Sequence, residues 1–228
     1  GRRTHYSPCP GHDRVYIHLH GMTLPIPDIR VETPHRAKKS LGQNFLVDSR
    51  VRSKILSAAN LSTADLVVEI GPGRGFLTRS LVQQAGKVVA VELDEKLAQR
   101  LSNSYSNQPN LEVVTNDARN VDVDALVNRS TYKVVANLPY YAAIPILRRF
   151  LEADHRPSLM VIMLQREVAN VVVAERGKMG MLSVAVQVYG KPRMVCTVPP
   201  RAFKPSPKVR SAVIRIDVYP SPAVELGS

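Results

Sequence analysis

The sequence predicts an α/β fold built on a mostly parallel sheet of seven strands, with an antiparallel hairpin at its C-terminal end. Three observations lead to this class. Short runs rich in Val and Ile alternate with amphipathic stretches between residues 66 and 164, as in βαβ units. The first run, Leu66–Ile70, leads into a turn with three glycines. Two more apolar runs near the end of the chain are joined by a Pro-rich loop, which is typical of an added hairpin.

The predicted elements follow in chain order. Asp48 is the expected N-cap of a helix that runs to about Ala59. The alternating part comprises strand 66–70, helix 76–84, strand 87–92, helix 94–104, strand 111–115, helix 121–127, strand 132–136, helix 143–152 and strand 159–164. Helices at 166–175 and 181–189 and strands at 193–198 and 211–218 complete the prediction.

The length and composition predict one main domain. With 228 residues, of which 44% are hydrophobic, the chain can bury one substantial core. Residues 1–35 show no sustained periodicity and are predicted to be a flexible tail, in part non-native. We expect the domain to cover residues 36–220, followed by a short tail at 221–228.

The charge indicates an acidic partner. The formal net charge is +12, and the surplus of Lys and Arg lies in the two flanks, while residues 61–150 are nearly neutral. Nucleic acid is therefore the favoured partner, and an anionic membrane surface is the less specific alternative. No apolar run approaches the roughly 18–20 residues of a membrane span.

Cysteine and histidine usage favours a cytoplasmic protein without a metal. Cys9 and Cys196 are the only cysteines, which is too few for a disulfide framework. His18 and His20 have no Cys or acidic ligands at a suitable spacing, so we interpret them as solvated side chains. We also expect a monomer.

The glycine turn and the strand after it predict a nucleoside cofactor. Gly71, Gly73 and Gly75 let the backbone approach a ligand closely, and Glu92 follows Gly71 at about the 20-residue interval at which an acid binds a ribose. Pro72 and Phe76 fit an NAD fingerprint poorly. The glycine turn, Glu92 and Asp117 instead resemble the Rossmann-like methyltransferases that bind S-adenosylmethionine. Read alone, Glu92 is also compatible with a solvated strand-end carboxylate.

The stretch from Asn137 through Leu138 and Pro139 to Tyr140 indicates the reaction. An adenine exocyclic amine is a poor nucleophile because its lone pair is delocalised into the ring. If the Asn137 side-chain oxygen and a backbone carbonyl beside Pro139 accept its two N–H groups, the lone pair is turned toward a methyl donor, and catalysis becomes mainly positioning. Tyr140 would stack on the base, the alternative being a tyrosine packed in the core.

Several motifs in this order resemble the catalytic domain of the ribosomal RNA adenine dimethyltransferases, most closely the small-subunit type, from about Lys38 to Val218. The motifs lie at residues 41–46, 69–75, 91–94, 116–118, 137–140, 163–168 and 198–205. The resemblance implies a Rossmann-like methyltransferase fold, S-adenosylmethionine as cofactor with S-adenosylhomocysteine as product, and N6,N6-dimethylation of adenosines in small-subunit (16S) ribosomal RNA.

The resemblance also implies roles for individual residues. For two of them, the residues alone leave a second, structural interpretation open. Asp117 would read the cofactor adenine, or close an Asx turn, and Phe203 would be a second stacking surface, or a loop anchor. The expected catalytic residues are Asn137, Leu138, Pro139, Tyr140 and Phe203. The expected cofactor-binding residues are Gln43, Asn44, Leu46, Glu69, Gly71, Gly73, Gly75, Glu92, Leu93, Asp117, Ala118 and Asn137. The expected RNA-binding residues are Lys38, Lys39, Arg201, Lys204, Lys208 and Arg210.

One departure from the family and two alternatives remain. Members usually continue into a small helical C-terminal domain, and this sequence is expected to lack it, either because it is truncated or because this member has no such domain. We therefore expect weak engagement of a ribosomal substrate. The erythromycin-resistance type of methylase modifies an adenine of large-subunit RNA on the same fold. A non-catalytic RNA-binding factor derived from the fold is the second alternative.

Overall fold

The computed structural model describes residues 16–19, 22–25, 37 and 42–223 of the chain. The chain divides into two units, Gly1–Arg36 and Ala37–Ser228. In the first unit, strands β1 (Tyr16–Leu19) and β2 (Met22–Pro25) pair in antiparallel fashion. The predicted tail did not include this pair, because four-residue strands are too short to produce a clear alternating pattern.

The second unit contains the other elements. In chain order they are β3 (Phe45–Leu46), α1 (Ser49–Ala59), β4 (Leu66–Ile70), α2 (Thr78–Gln84), β5 (Lys87–Glu92), α3 (Glu95–Ser104), β6 (Leu111–Thr115), α4 (Val123–Val127), β7 (Tyr132–Asn137), α5 (Ala143–Leu151), β8 (Leu159–Gln165), α6 (Arg166–Val172), α7 (Met181–Gln187), β9 (Gly190–Val198), β10 (Phe203–Lys204) and β11 (Ser211–Val218).

Seven of these strands form one sheet in the order β6-β5-β4-β7-β8-β11-β9. The strands from β4 to β8 are parallel, and β11 lies antiparallel between β8 and β9. The predicted fold class, the seven strands and the antiparallel C-terminal hairpin are therefore confirmed. β9 begins three residues before the predicted start, at Gly190, because Pro192 lies on an edge strand, where its missing N–H is tolerated.

The predicted helices and strands are present with small shifts at their ends. The Asp48 side chain caps α1 by accepting hydrogen bonds from the backbone N–H groups of Arg50 (2.8 Å) and Val51 (3.3 Å). α6 ends at Val172 and α7 at Gln187, both earlier than predicted. Local sequence patterns predict the existence of a helix better than the residue at which its last turn frays.

Parallel register brings the carboxyl ends of three strands together. Ile70 in β4 is aligned with Val91 in β5 and with Ala136 in β7. After β4 the chain moves to one side of the sheet through β5 and β6, and β7 then returns to the other side of β4. A crevice at such a reversal is where open α/β sheets bind ligands, so the loops after β4 and β7 mark the expected site.

The core packs mainly against the middle of the sheet. β4, β7 and β8 are buried almost throughout, as expected for parallel strands covered on both faces. α5 contributes Ile146, Leu147, Phe150 and Leu151 to this core. The strands that carry the site are therefore rigidly supported.

A two-stranded pair joins the beginning of the second unit to its end. Phe203 of β10 is opposite Leu46 of β3, and the Val47 N–H donates to the carbonyl oxygen of Ala202 at 2.9 Å. The sequence did not predict this pair, because two-residue strands have no periodicity. It places the loop before α1 beside the loop between β9 and β11.

Gly86, between α2 and β5, is expected to tolerate no side chain. Its N–H donates to the carbonyl oxygen of Asp65 at 3.0 Å, and a Cβ atom at this position would overlap the carbonyl oxygen of Thr63. We expect Gly86→Ala to lower the free energy of unfolding by about 1–3 kcal/mol in a denaturant titration. Gly180→Ala is the control, since a Cβ atom there meets nothing within 4 Å. Equal losses in the two variants would contradict the steric explanation.

Candidate functional site

The glycine turn after β4 packs closely between β3 and α3. Gly73 and Gly75 have positive φ angles of 57° and 76°. A Cβ atom at Gly73 would lie 2.9 Å from Cδ1 of Phe45, and one at Gly75 would lie 2.8 Å from Cδ1 of Leu101. Both the backbone conformation and the available space therefore require glycine.

The same turn touches the loop after β7. A Cβ atom at Gly71 would lie 3.4 Å from the backbone oxygen of Asn137. The Gly71 N–H donates to the carbonyl oxygen of Val91 at 2.9 Å, which continues the sheet hydrogen bonding past the end of β4. The structure thus brings together the two motifs from which the sequence predicted a cofactor and a target base.

Glu92 organises the turn from the end of β5. Its Oε2 accepts a hydrogen bond from the Gly73 N–H and its Oε1 accepts one from the Asp94 N–H, both at 2.9 Å. Burial raises the pKa of Glu92, and these two hydrogen bonds partly offset the effect. Each carboxylate oxygen keeps a second lone pair, so the group is still able to accept hydrogen bonds from a ribose. Leu93 is exposed beside it and offers an apolar surface.

Asp94 lies in the motif at residues 91–94, but the sequence analysis assigned it no role in the site. It is buried, and its side chain accepts hydrogen bonds from the Lys96 N–H and from Nε2 of Gln43, both at 3.1 Å. The first contact caps α3 and was detectable as an N-cap pattern. The second attaches the loop before β3 to the end of β5, and no local signal predicts it.

Asn44 and Asn137 are directly connected. Nδ2 of Asn137 donates to the backbone oxygen of Asn44 at 3.2 Å, and Nδ2 of Asn44 donates to the backbone oxygen of Gly42 at 3.0 Å. The first bond orients the Asn137 amide, so that its Oδ1 is directed away from Asn44 and is available as an acceptor. Leu46 is buried in β3.

The residues after Asn137 are held by hydrogen bonds of different kinds. The Leu138 N–H donates to the carbonyl oxygen of Met163 at 3.1 Å, and the carbonyl oxygen of Pro139 accepts from the Ala142 N–H at 3.0 Å. Because the Pro139 carbonyl is used in this turn, the Leu138 carbonyl is the better candidate for a second acceptor. Tyr140 is half-buried, and its hydroxyl is 2.7 Å from Oγ of Ser211, a buried residue that the sequence analysis did not single out.

Asp117 is engaged by a cation in this structure. Nη2 of Arg119 donates to its Oδ2 at 2.6 Å, and the Arg119 backbone N–H donates to its Oδ1 at 2.9 Å. The side-chain hydrogen bond from Arg119 lowers the pKa of Asp117. Asp117 therefore forms the Asx turn that the sequence analysis gave as one of two interpretations. A hydrogen bond from a cofactor adenine to its carboxylate stays a prediction. Ala118 is buried next to it.

Phe203 is buried, whereas the predicted RNA-binding cations around it are exposed to solvent. Phe203 is 3% exposed and pairs with Leu46 across the β3–β10 pair, which favours the loop-anchor interpretation in this conformation. Its role as a second stacking surface remains a prediction that requires the ring to move. The predicted cations of this loop are all exposed: Arg201, Lys204, Lys208 and Arg210. Lys38 and Lys39 lie outside the described residues.

Glu69 is a buried acid behind the glycine turn. It is 1% exposed, and its Oε2 has no hydrogen-bond partner within the described part of the chain. Burial raises the pKa of Glu69 to about 8, Thr78 counteracts this shift, and the nearby charge of Glu92 adds to it. A buried carboxyl of this kind is mostly protonated at neutral pH.

The raised pKa of Glu69 predicts a pH dependence of stability. In the unfolded chain Glu69 ionises near its ordinary pKa of 4.5, whereas in the folded protein it holds its proton up to about pH 8. The folded state therefore binds more protons in this window, and its contribution to stability is lost as the pH rises from about 4.5 to 8. In melting curves at pH 5 to 8, Glu69→Gln should show a smaller decline of Tm with pH than the unsubstituted protein. Parallel declines would contradict the assignment.

The described residues hold no group of three or more His, Cys, Asp or Glu side chains that could bind a metal. Among the helices that the structure describes, none has the length and apolar character to cross a membrane.

The fold and the site define a Rossmann-like methyltransferase domain. The chain can be aligned with the crystal structure of a dimethyladenosine transferase from Plasmodium falciparum with a TM-score of 0.69 and 27% identity, covering 77% of this chain and 63% of that one. For the 23S rRNA methyltransferase ErmE the TM-score is 0.72 and the identity 32%, covering 80% and 73% of the respective chains.

The sequence comparisons identify the family. The model of the ribosomal RNA adenine dimethylase family matches residues 34–225, so the chain belongs to this family. It is 45% identical over 193 residues to a ribosomal RNA small subunit methyltransferase A of Dehalococcoides mccartyi strain 195, covering 84% of this chain. It spans 66% of the length of that relative and 62% of the length of a second one from strain CBDB1, which is also 45% identical over 79% of this chain.

Proposed function

We propose that this chain is the catalytic domain of an S-adenosylmethionine-dependent methyltransferase that forms N6,N6-dimethyladenosine in small-subunit ribosomal RNA. The observation that carries the proposal is the contact between the glycine turn and Asn137, where a Cβ atom at Gly71 would lie 3.4 Å from the Asn137 backbone oxygen. This contact supports a nucleoside subsite next to a group that can accept hydrogen bonds from an amine.

The residues present fit the cofactor. The carboxylate of Glu92 is suited to the ribose hydroxyls, exposed Leu93 to an apolar face of the adenine, and the turn at Gly71 has no side chain to fill the space next to it. Gln43 and Asn44 are fastened to the ends of β5 and β7, where they would close over the bound molecule. When bound, S-adenosylmethionine supplies a methyl group activated by its sulfonium.

The loop after β7 would orient the target base. Oδ1 of Asn137 and the carbonyl oxygen of Leu138 accept the two N–H groups of the adenine amine, which turns its lone pair toward the methyl donor. The half-buried ring of Tyr140, fixed by Ser211, supports the base. A strong general base is not needed for this step, because preorganised positioning supplies the main acceleration.

The RNA would bind through phosphate contacts and unstacked bases. The exposed cations Arg201, Lys204, Lys208 and Arg210 lie in the loop that is joined to β3, and the chain carries a net charge of +12. Such a surface attracts RNA phosphates, while sequence-specific RNA recognition uses unpaired bases. We assign the enzyme to the cytoplasm and expect it to act as a monomer.

The small-subunit substrate is supported by the names of the curated relatives, whereas the ErmE likeness favours large-subunit RNA as the second candidate. The deciding experiment offers methyl-labelled cofactor with unmethylated small subunits or with large-subunit RNA. Incorporation into small subunits is expected, and Asn137→Ala serves as the negative control. Incorporation only into large-subunit RNA would overturn the assignment of small-subunit RNA as the substrate. Binding of RNA without any methyl transfer would favour a non-catalytic binding factor.

A further inference from the structure

The three aromatic side chains near the loop after β7 differ in accessibility. Phe203 is held in the β3–β10 pair and is almost completely buried, and Tyr140 is half-buried with its hydroxyl bound to Ser211. Tyr141 is 51% exposed. Of the three, it is the ring best placed to receive a base from solution without any rearrangement.

The Tyr141 ring lies at the outer lip of the proposed pocket. A Cβ atom at Gly42 would be 3.5 Å from its Cδ1. The carbonyl oxygen of Gly42 accepts from Asn44, whose own carbonyl oxygen accepts from Asn137. Tyr141 therefore flanks the loop that covers Asn137, on the outside of the position expected for the target base.

An exposed aliphatic side chain accompanies the ring. Ile144, three residues after Tyr141, is also exposed at the start of α5. An exposed aromatic ring is a surface on which the unpaired bases of single-stranded nucleic acid stack.

We infer that Tyr141 is a stacking platform for the unpaired nucleotide next to the target adenosine. The inference rests on the proposed function, because it assumes that RNA enters over this lip. Tyr141 supports the neighbouring nucleotide and not the target, since the target amine must reach Asn137 on the inner side of the Gly42 loop.

The binding test uses a short oligoadenosine RNA in which one base is replaced by the fluorescent analogue 2-aminopurine. The unsubstituted protein and Tyr141→Phe, which keeps the ring, should quench the fluorescence and bind equally. Tyr141→Ala should bind roughly five- to 150-fold more weakly and quench less. Tyr219→Ala removes an exposed tyrosine after β11 and is the matched control. Cofactor affinity and Tm should be unchanged in all variants.

Kinetics on unmethylated small subunits separate this inference from the proposed function. Tyr141→Ala should raise KM for the subunits by a similar factor and leave kcat nearly unchanged. If the unsubstituted protein methylates subunits but Tyr141→Ala alters neither KM nor quenching, or if Tyr141→Phe loses as much as Tyr141→Ala, the stacking role is overturned. If no RNA is methylated while the quenching difference persists, the proposed function fails and the stacking role stands.

Discussion

Asn137→Ala is expected to lower kcat for methyl transfer by about 10²- to 10³-fold, the loss typical of removing one preorganised hydrogen-bonding group from an active site. The substitution removes the Oδ1 acceptor that would hold the adenine amine. It also removes the Nδ2 donor to the Asn44 backbone oxygen, 3.2 Å away. The expected loss in kcat therefore combines a direct effect on the base with a smaller effect on the covering loop.

Single-turnover rates and cofactor titrations distinguish the two effects. We expect cofactor affinity to change far less than kcat, because the other contacts of the covering loop, such as Gln43 with Asp94, remain. Asn103→Ala, an exposed asparagine on α3, is the control and should keep full activity. A kcat for Asn137→Ala within about threefold of the unsubstituted protein would refute the positioning role, since it corresponds to less than one ordinary hydrogen bond.

Glu92→Ala is expected to weaken S-adenosylmethionine binding by about 10- to 150-fold, the equivalent of losing one hydrogen bond to a charged group. The carboxylate has two tasks, since it would bind the ribose and it also fixes the glycine turn through the N–H groups of Gly73 and Asp94. The alanine variant removes both.

Isothermal titration with S-adenosylmethionine measures this loss. Glu95→Ala changes the net charge equally, from an exposed position at the start of α3, and should bind the cofactor nearly as well as the unsubstituted protein. Comparable weakening in Glu92→Ala and Glu95→Ala would show that long-range charge, and not a specific ribose contact, determines cofactor affinity.

The sequence predicted the parts of the site that follow from strand order. Gly71, Glu92 and Asn137 each come at or directly after the end of a parallel strand, and parallel register places such ends at one edge of the sheet. Their convergence could therefore be predicted from periodicity and spacing, as could the fold class and the antiparallel strands at the end of the chain.

The contacts that complete the site could not be predicted in this way. The pairing of β3 with β10, the bond from Gln43 to Asp94 and the bond from Tyr140 to Ser211 join residues far apart in the chain. Two-residue strands and single side-chain hydrogen bonds leave no repeating pattern in a sequence. The burial of Phe203 follows from the β3–β10 pair, which is why its accessibility was open until the structure was known.

The proposed dimethylation of adenosine is tested by analysing the nucleosides of small ribosomal subunits after reaction with S-adenosylmethionine that carries a deuterated methyl group. Unmethylated subunits are incubated with the protein, and their RNA is digested and examined by mass spectrometry. We expect N6,N6-dimethyladenosine that carries two deuterated methyl groups, and far less of it from Asn137→Ala after the same reaction time. Deuterium confined to another nucleoside, or to a position other than N6, would contradict the proposed dimethylation.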